Sequence, residues 1–342
     1  MKKIYTILTM LSLLCAVSCE DLGNDIFNPN GKPDTEDTED TEDETQGVVN
    51  LAANEIWYTN GSTTDATAPY KTDVFGANII SNTYDSEKEC WVIKFDGDVT
   101  SIGEEAFRQC SSLASVTIPE GVTSIEEMAF AYCDNLPSIT IPNSVTSIEK
   151  MAFEGCSSFT SVTIPEGVTS IGYRVFADCT SLASVTIPEG VTSIGEGAFL
   201  RCNSLVEFRG KLASEDGRCL IVDGVLNSFA PADLTEYTIP EGVTSIGGEA
   251  FFACTSLTSV TIPESVTSIG NQAFSYCSSL TSVYCKPTTT PATPPYNYYD
   301  EWDAFNSNAS GRAIYVPKAS VNAYKTAEGW SQYASDIVGY DF

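Results

Sequence analysis

Apolar positions recur along this chain on a fixed step. Within the tetrapeptide Val-Thr-Ser-Ile the isoleucines are Ile102, Ile125, Ile148, Ile171 and Ile194, each 23 positions after the last, and the pattern resumes at Ile246 and Ile269. Phenylalanine keeps the same phase at Phe107, Phe130, Phe153, Phe176, Phe199, Phe251 and Phe274, as does cysteine at Cys110, Cys133, Cys156, Cys179, Cys202, Cys254 and Cys277. A step of this length marks a solenoid, in which each unit is one turn and only stacking buries its apolar side.

One unit shows the elements. Leu113, Val116 and Ile118 form an L-x-x-V-x-I run. Val116 and Ile118, two apart, face one side of a strand, and Ser115 and Thr117 face the other. Pro119 ends the run because it has no N–H to donate. Val122 and Ile125 predict a second short extended stretch, and Ala129, Phe130 and Cys133 follow at helical spacing. Strand positions of successive rungs fall at Ile93, Val116, Ile139, Val162, Val185, Phe208, Tyr237, Val260, Val283 and Ile314. The sixth rung, 208–236, is longer. In it Asp223-Gly224 lies between Cys219–Val222 and Val225-Leu226, a hairpin signal.

The motifs Leu113-x-x-Val116-x-Ile118-Pro119, Val122-Thr123-Ser124-Ile125 and Ala129-Phe130 with Cys133 resemble the bacterial BspA-like branch of the leucine-rich repeat proteins. The resemblance implies an α+β solenoid of about ten rungs. It also implies a role in adhesion or ligand binding at the cell surface, with no catalytic activity and no cofactor. The expected organisation is a repeat region at 93–282 between an N-terminal β cap at 48–92 and, at 283–342, the last strands with a cap containing a short helix. Ile56-Trp57-Tyr58 and Ile79-Ile80 are the strand candidates of the first cap. The helix is expected over Ala319–Lys325, and Trp330, Tyr333 and Ile337 are expected to plug the other end.

The first 18 residues read as an export signal, with Lys2 and Lys3 before the apolar run Ile4–Val17. Val17-Ser18-Cys19 resembles a lipoprotein box, which implies lipid attachment at Cys19. Glu20 and Asp21 resemble the surface-export signal of lipoproteins in some Gram-negative anaerobes. The expectation is an outer-membrane lipoprotein exposed at the surface, touching the membrane through its lipid alone. Residues 19–47 include the Thr-Glu-Asp repeats, which cannot collapse and read as a disordered acidic stalk.

Composition narrows the chemistry. Against 17 Lys and Arg stand 46 Asp and Glu, a net charge of −29, and there is no histidine. Such acidity excludes ordinary nucleic-acid binding. The missing imidazole excludes Ser-His and Cys-His nucleophiles and His-bound metals. No Cys-x-x-Cys pair suggests zinc, so no metal site and no catalytic residue is assigned. The in-phase cysteines read as buried thiols behaving as small apolar groups. Glu120, Glu166, Glu189, Glu241 and Glu264 follow the strand proline at a repeated turn position.

Ser115, Thr117 and their repeats make the expected binding side small and uncharged. Aromatic residues gather instead in the break between Val283 and Ile314, so Tyr296, Tyr298, Tyr299 and Trp302 are the candidate ligand-binding residues. The expected partner of a monomeric protein is a host or neighbouring-cell surface protein or glycan. A glycan-binding accessory lipoprotein of a nutrient-uptake system is the alternative, and a carboxylate-based hydrolase is the second alternative.

Overall fold

A computed structural model describes residues 52–293 and 303–342. They form a β-solenoid of about ten turns with a single short helix near its end. Each regular rung has three legs. The first is the Ser-Val-Thr strand, as at Ser161–Thr163 and Ser184–Thr186, which pair parallel with Val162 opposite Val185. The second is a two-residue strand such as Ser124–Ile125, paired parallel with Ser147–Ile148. Alternation does the sorting: Val162 and Ile164 are buried while Ser161 and Thr163 are exposed.

The third leg is a run of turns rather than the helix that its spacing suggests. Two residues per rung, four apart, take left-handed backbone, as Glu105 (φ 57°) and Gln109 (φ 59°) and then Met128 (φ 55°) and Tyr132 (φ 62°). Between them every second N–H turns outward to the next rung. Phe107 donates to the Ala129 carbonyl at 2.7 Å, Phe130 to Ala152 at 2.8 Å and Phe153 to Val175 at 2.9 Å. The reason is thickness. Paired strands stack about 4.8 Å apart, whereas an α-helix with its side chains is about 10 Å across. A turn leg stacks at the pitch of the strands and also finds partners for its backbone.

Identical residues therefore stand above one another. The rings of Phe107, Phe130, Phe153, Phe176 and Phe199 form a parallel stack with neighbouring centroids 5.3–5.5 Å apart. The cysteines do more than fill space. The carbonyls of Phe107, Phe130, Phe153, Phe176 and Phe251 each accept the N–H of the cysteine three residues on and also a thiol from the following rung. At Phe107 the donors are Cys110 N (3.1 Å) and Cys133 Sγ (3.1 Å), and Cys156, Cys179, Cys202 and Cys277 repeat the thiol contact at 3.0–3.2 Å. No disulfide joins the ten cysteines among the described residues.

The ends depart from the repeat. Strands β1 (Glu55–Thr59), β2 (Ile79–Asp85) and β3 (Cys90–Phe95) form an antiparallel cap in the order β2-β3-β1. Ile93 lies in β3, so the place beside Val116 belongs to Tyr58 of β1, running antiparallel. An antiparallel strand covers the open edge without offering a further rung. At the other end Val283 pairs with Ile314 and Ile314 with Ile337, all parallel. Ile337 is thus a rung strand as well as part of the plug. The step from Ile314 to Ile337 is again 23. A 3₁₀ turn at Lys318–Ser320 and an α-helix at Val321–Thr326 connect them, with Tyr324 buried.

The sixth rung replaces its turn leg by a hairpin. Cys219–Val222 and Val225–Phe229 pair antiparallel around Asp223 (φ 49°) and Gly224 (φ 79°). Leu226 takes the isoleucine place beside Ile246, and the Phe229 ring lies 4.5 Å from Phe251. Both parallel ladders stop here, and the core divides into two clusters that meet at the hairpin. Arg174 reaches across the break to Glu249, passing over Gly197, where a Cβ would strike the carboxylate.

Two outcomes test this packing. Phe153→Ala is expected to cost about 3–5 kcal/mol, as measured by denaturant unfolding. Phe107→Ala is expected to cost as much despite its end position, because Phe75 covers its ring at 5.8 Å and Phe107 is fully buried.

The thiols give a pH dependence. Burial pushes Cys110 up to about 11 and Cys156 up to about 12, from 9.0 when exposed. The folded chain then keeps protons that the unfolded chain releases. This stability is complete below about pH 9 and is lost as pH rises towards the folded values. Urea midpoints should fall steadily between about pH 8.5 and about pH 10.5; constant midpoints would contradict the thiol burial.

Candidate binding face

The outward positions of the first leg form a narrow sheet surface. From Ser115 to Thr186 it carries only serine and threonine, exposed or half-exposed. Pro137 interrupts it. Lacking an N–H, it reduces the pairing of that rung to the single bridge Thr117–Thr140. Glu207 and Arg209 then replace the small pair beside the hairpin rung and bond to each other.

At the last rungs the same positions become aromatic. Register places Thr261 beside Tyr284 and Tyr284 beside Tyr315. The two tyrosine rings stack with centroids 4.7 Å apart and planes 14° from parallel. The Tyr340 ring stands edge-on to both at 5.5 Å, and Phe342 packs on Tyr340 at 5.1 Å. Tyr340 and Phe342 remain 41% and 52% exposed. Partial burial, followed by the neighbouring Tyr315 and Tyr340 hydroxyls, raises the Tyr284 hydroxyl above its ordinary range.

Tyr284, Tyr340 and Phe342 wall a depression of about 400 Å³, which Thr238, Thr261, Lys286 and Asp341 also line. Lys318 holds Asp341 in an ion pair. The arrangement offers apolar ring faces beside hydroxyl groups and charges of both signs. It has the parts of a recognition site and presents no nucleophile activated by a base. Sequence reasoning missed these tyrosines, although Tyr284 occupies the second outward position of its strand, where Thr261 stands one rung before. That in-phase change from Thr to Tyr was the available signal.

The four candidates Tyr296, Tyr298, Tyr299 and Trp302 lie outside the described residues, as do Cys19 and the acidic stalk. Both flanks of that insertion are tied into the core. Ala292 donates to the Thr267 carbonyl at 2.9 Å, and Phe274 donates to Ala304 at 2.8 Å. Trp330 Nε1 donates to the Pro291 carbonyl at 2.6 Å and the Tyr324 hydroxyl to Pro287 at 2.7 Å. Phe305 continues the ring column, 5.2 Å from Phe274 and 3° from parallel.

The turn-position carboxylates Glu120, Glu166, Glu189, Glu241 and Glu264 are all exposed or edge-lying, one per rung. Glu154 and Glu196 are raised chiefly by burial and lie on the turn legs, with Arg174 as a lowering neighbour. Among the described residues no group of three or more Cys, Asp or Glu is placed to hold a metal ion. No helix among them is long and apolar enough to cross a membrane.

Stacked L-x-x-V-x-I strands, a phenylalanine column and a capped, non-helical solenoid define a bacterial type of leucine-rich repeat protein. Residues 77–206 and 226–309 match the BspA type leucine rich repeat region, in six copies. The chain belongs to this family.

Several solved structures are similar, three of them as follows. A leucine rich cell surface protein of Faecalibacterium prausnitzii A2-165 is 27% identical, over 65% of this chain and 71% of that one, with a TM-score of 0.41. The leucine rich repeat protein of T. pallidum is 27% identical, over 55% and 74%, with a TM-score of 0.38. A leucine-rich repeat protein of Bacteroides ovatus is 25% identical, over 71% and 64%, with a TM-score of 0.44. A search of curated proteins finds no match.

The packing separates face from scaffold. Trp330→Ala, at a fully buried indole, should cost about 3–5 kcal/mol. Tyr340→Ala, at a half-open ring, should cost about 1 kcal/mol or less. Paired denaturation curves check this, and equal losses would place Tyr340 in the cap core.

Proposed function

We propose that this is a lipid-anchored, non-catalytic protein of the outer cell surface that binds host or neighbouring-cell surface molecules as a monomer. The observation that carries the reading is the cluster of half-buried Tyr284 and Tyr315 with exposed Tyr340 at the end of a hydroxyl-lined sheet face. Exposed aromatic rings gathered on a rigid scaffold are the usual composition of a recognition surface. The scaffold spends its polar groups on itself: thiols, threonine hydroxyls and alternate amides all bond to the neighbouring rung. Surface display suits the family, and the structure of the Faecalibacterium relative is described as a cell surface protein.

Anchoring rests on Val17-Ser18-Cys19 after a short apolar run. Several acyl chains at about 0.8 kcal/mol per buried methylene hold a protein firmly on a membrane. Detergent-phase partitioning should follow the wild-type chain and be lost in Cys19→Ala. Detergent-phase behaviour of both, each with the signal removed, would refute lipid attachment. For binding, cells displaying the wild-type chain should adhere to immobilised host-surface extract, and cells displaying Tyr284→Ala with Tyr340→Ala should not. Adherence unchanged by the double variant would move the binding surface elsewhere.

A further inference from the structure

We propose that the depression beside Tyr284 and Tyr340 is a binding site for neutral carbohydrate, accepting one or two pyranose rings of a glycan chain. The inference rests on the surface-binding reading above and names the ligand class for that face. Four observations carry it.

The first is shape. About 400 Å³ lies at the lower end of the range of small-ligand sites. A sugar ring or two fills it; a folded protein would rest mainly on the small Ser and Thr residues that continue the sheet.

The second is the pairing of surfaces. The rings of Tyr284 and Tyr340 offer apolar faces set edge to face, so a ring lying on one meets the rim of the other. A pyranose has an apolar C–H face and an equatorial belt of hydroxyls. It needs one flat aromatic partner and several hydrogen-bonding groups around it.

The third is the lining. Thr238 and Thr261 supply hydroxyls that both donate and accept, Lys286 donates, and the Tyr hydroxyls do either. Polyhydroxyl ligands are matched by such two-way groups, whereas an apolar peptide side chain would leave them unpaired at a cost.

The fourth is charge. The lining holds both signs, Asp341 is neutralised by Lys318, and the whole chain carries −29. A single lysine, Lys286, is too little to hold an acidic glycan against a chain of this net charge, and the site contains no concentration of negative charge to select a cation. Neutral sugar remains.

The test is affinity electrophoresis of the purified full-length protein through gels containing β-glucan, xylan, mannan or polygalacturonate, against a gel without polysaccharide. The set comprises wild type, Tyr284→Ala, Tyr340→Ala, Thr261→Val and the distant control Ser161→Ala, each with its thermal midpoint. Thr261→Val removes a hydroxyl without touching the ring stack, so it reports on the site even if a tyrosine variant unfolds. The expected result is retardation by at least one neutral polysaccharide, weakened about tenfold or more in the tyrosine and Thr261 variants and unchanged in Ser161→Ala. Failure of every neutral polysaccharide to retard the wild type overturns the proposal. So does retardation that survives Tyr340→Ala and Thr261→Val, or a preference for polygalacturonate. Loss of cell adherence in the tyrosine double variant without any retardation would overturn carbohydrate binding in favour of a protein partner, leaving the surface-binding reading intact. Unchanged adherence together with no retardation would overturn both.

Discussion

Everything in this molecule depends on one spacing. Two legs of each rung pair as parallel strands, which sets neighbouring rungs about 4.8 Å apart, and the third leg must fit that distance or split the stack. It fits by alternating its amides, one N–H closing a turn and the next reaching to the following rung. The left-handed residues at Met128 and Tyr132 allow that alternation. Once all three legs share a pitch, every inward residue sits on its own repeat. The phenylalanine rings are then nearly parallel, and the cysteine thiols lie within reach of the phenylalanine carbonyl one rung away. Cysteine is suited to this place because it is small and apolar yet carries a weak donor. Serine would bring a stronger desolvation demand, and alanine would leave the carbonyl with one partner.

Interruptions to the spacing have local causes. Pro137 removes one donor and thins a ladder to a bridge. The sixth rung exchanges its turn leg for a hairpin and ends two ladders at once, which divides the core. Phe229 restores a ring for Phe251 to rest on, and the Arg174–Glu249 pair ties the turn legs on either side of the gap. Such a pair, partly buried and spanning a full rung, sits where the backbone supplies no ladder.

The candidate face arises where the period meets the final cap. From Ser115 to Thr186 the outward residues of the sheet are serine and threonine. At the last strands larger rings lie across the sheet. The Tyr340 ring meets both Tyr284 and Tyr315 edge-on, and Phe342 packs on Tyr340. A depression forms between repeat and cap, where ring faces stand beside hydroxyls.

The 23-residue step, the inward and outward alternation and the Asp223-Gly224 turn were legible in the sequence, because each depends on neighbours within a few positions or on exact repetition. That step alone specified the solenoid and its core, and it also reached Ile337, which reads as cap only if the spacing from Ile314 is overlooked. The third leg was not legible: Ala129, Phe130 and Cys133 have helical spacing, and only the pitch of the stacked strands decides against a helix. Ile93 likewise has the right phase, yet the antiparallel cap claims it, since an end rung is ruled by what covers it. The tyrosine face is the plainest case. Tyr284, Tyr315 and Tyr340 are 31 and 25 residues apart in the chain, and only the parallel register of three successive strands brings their rings together.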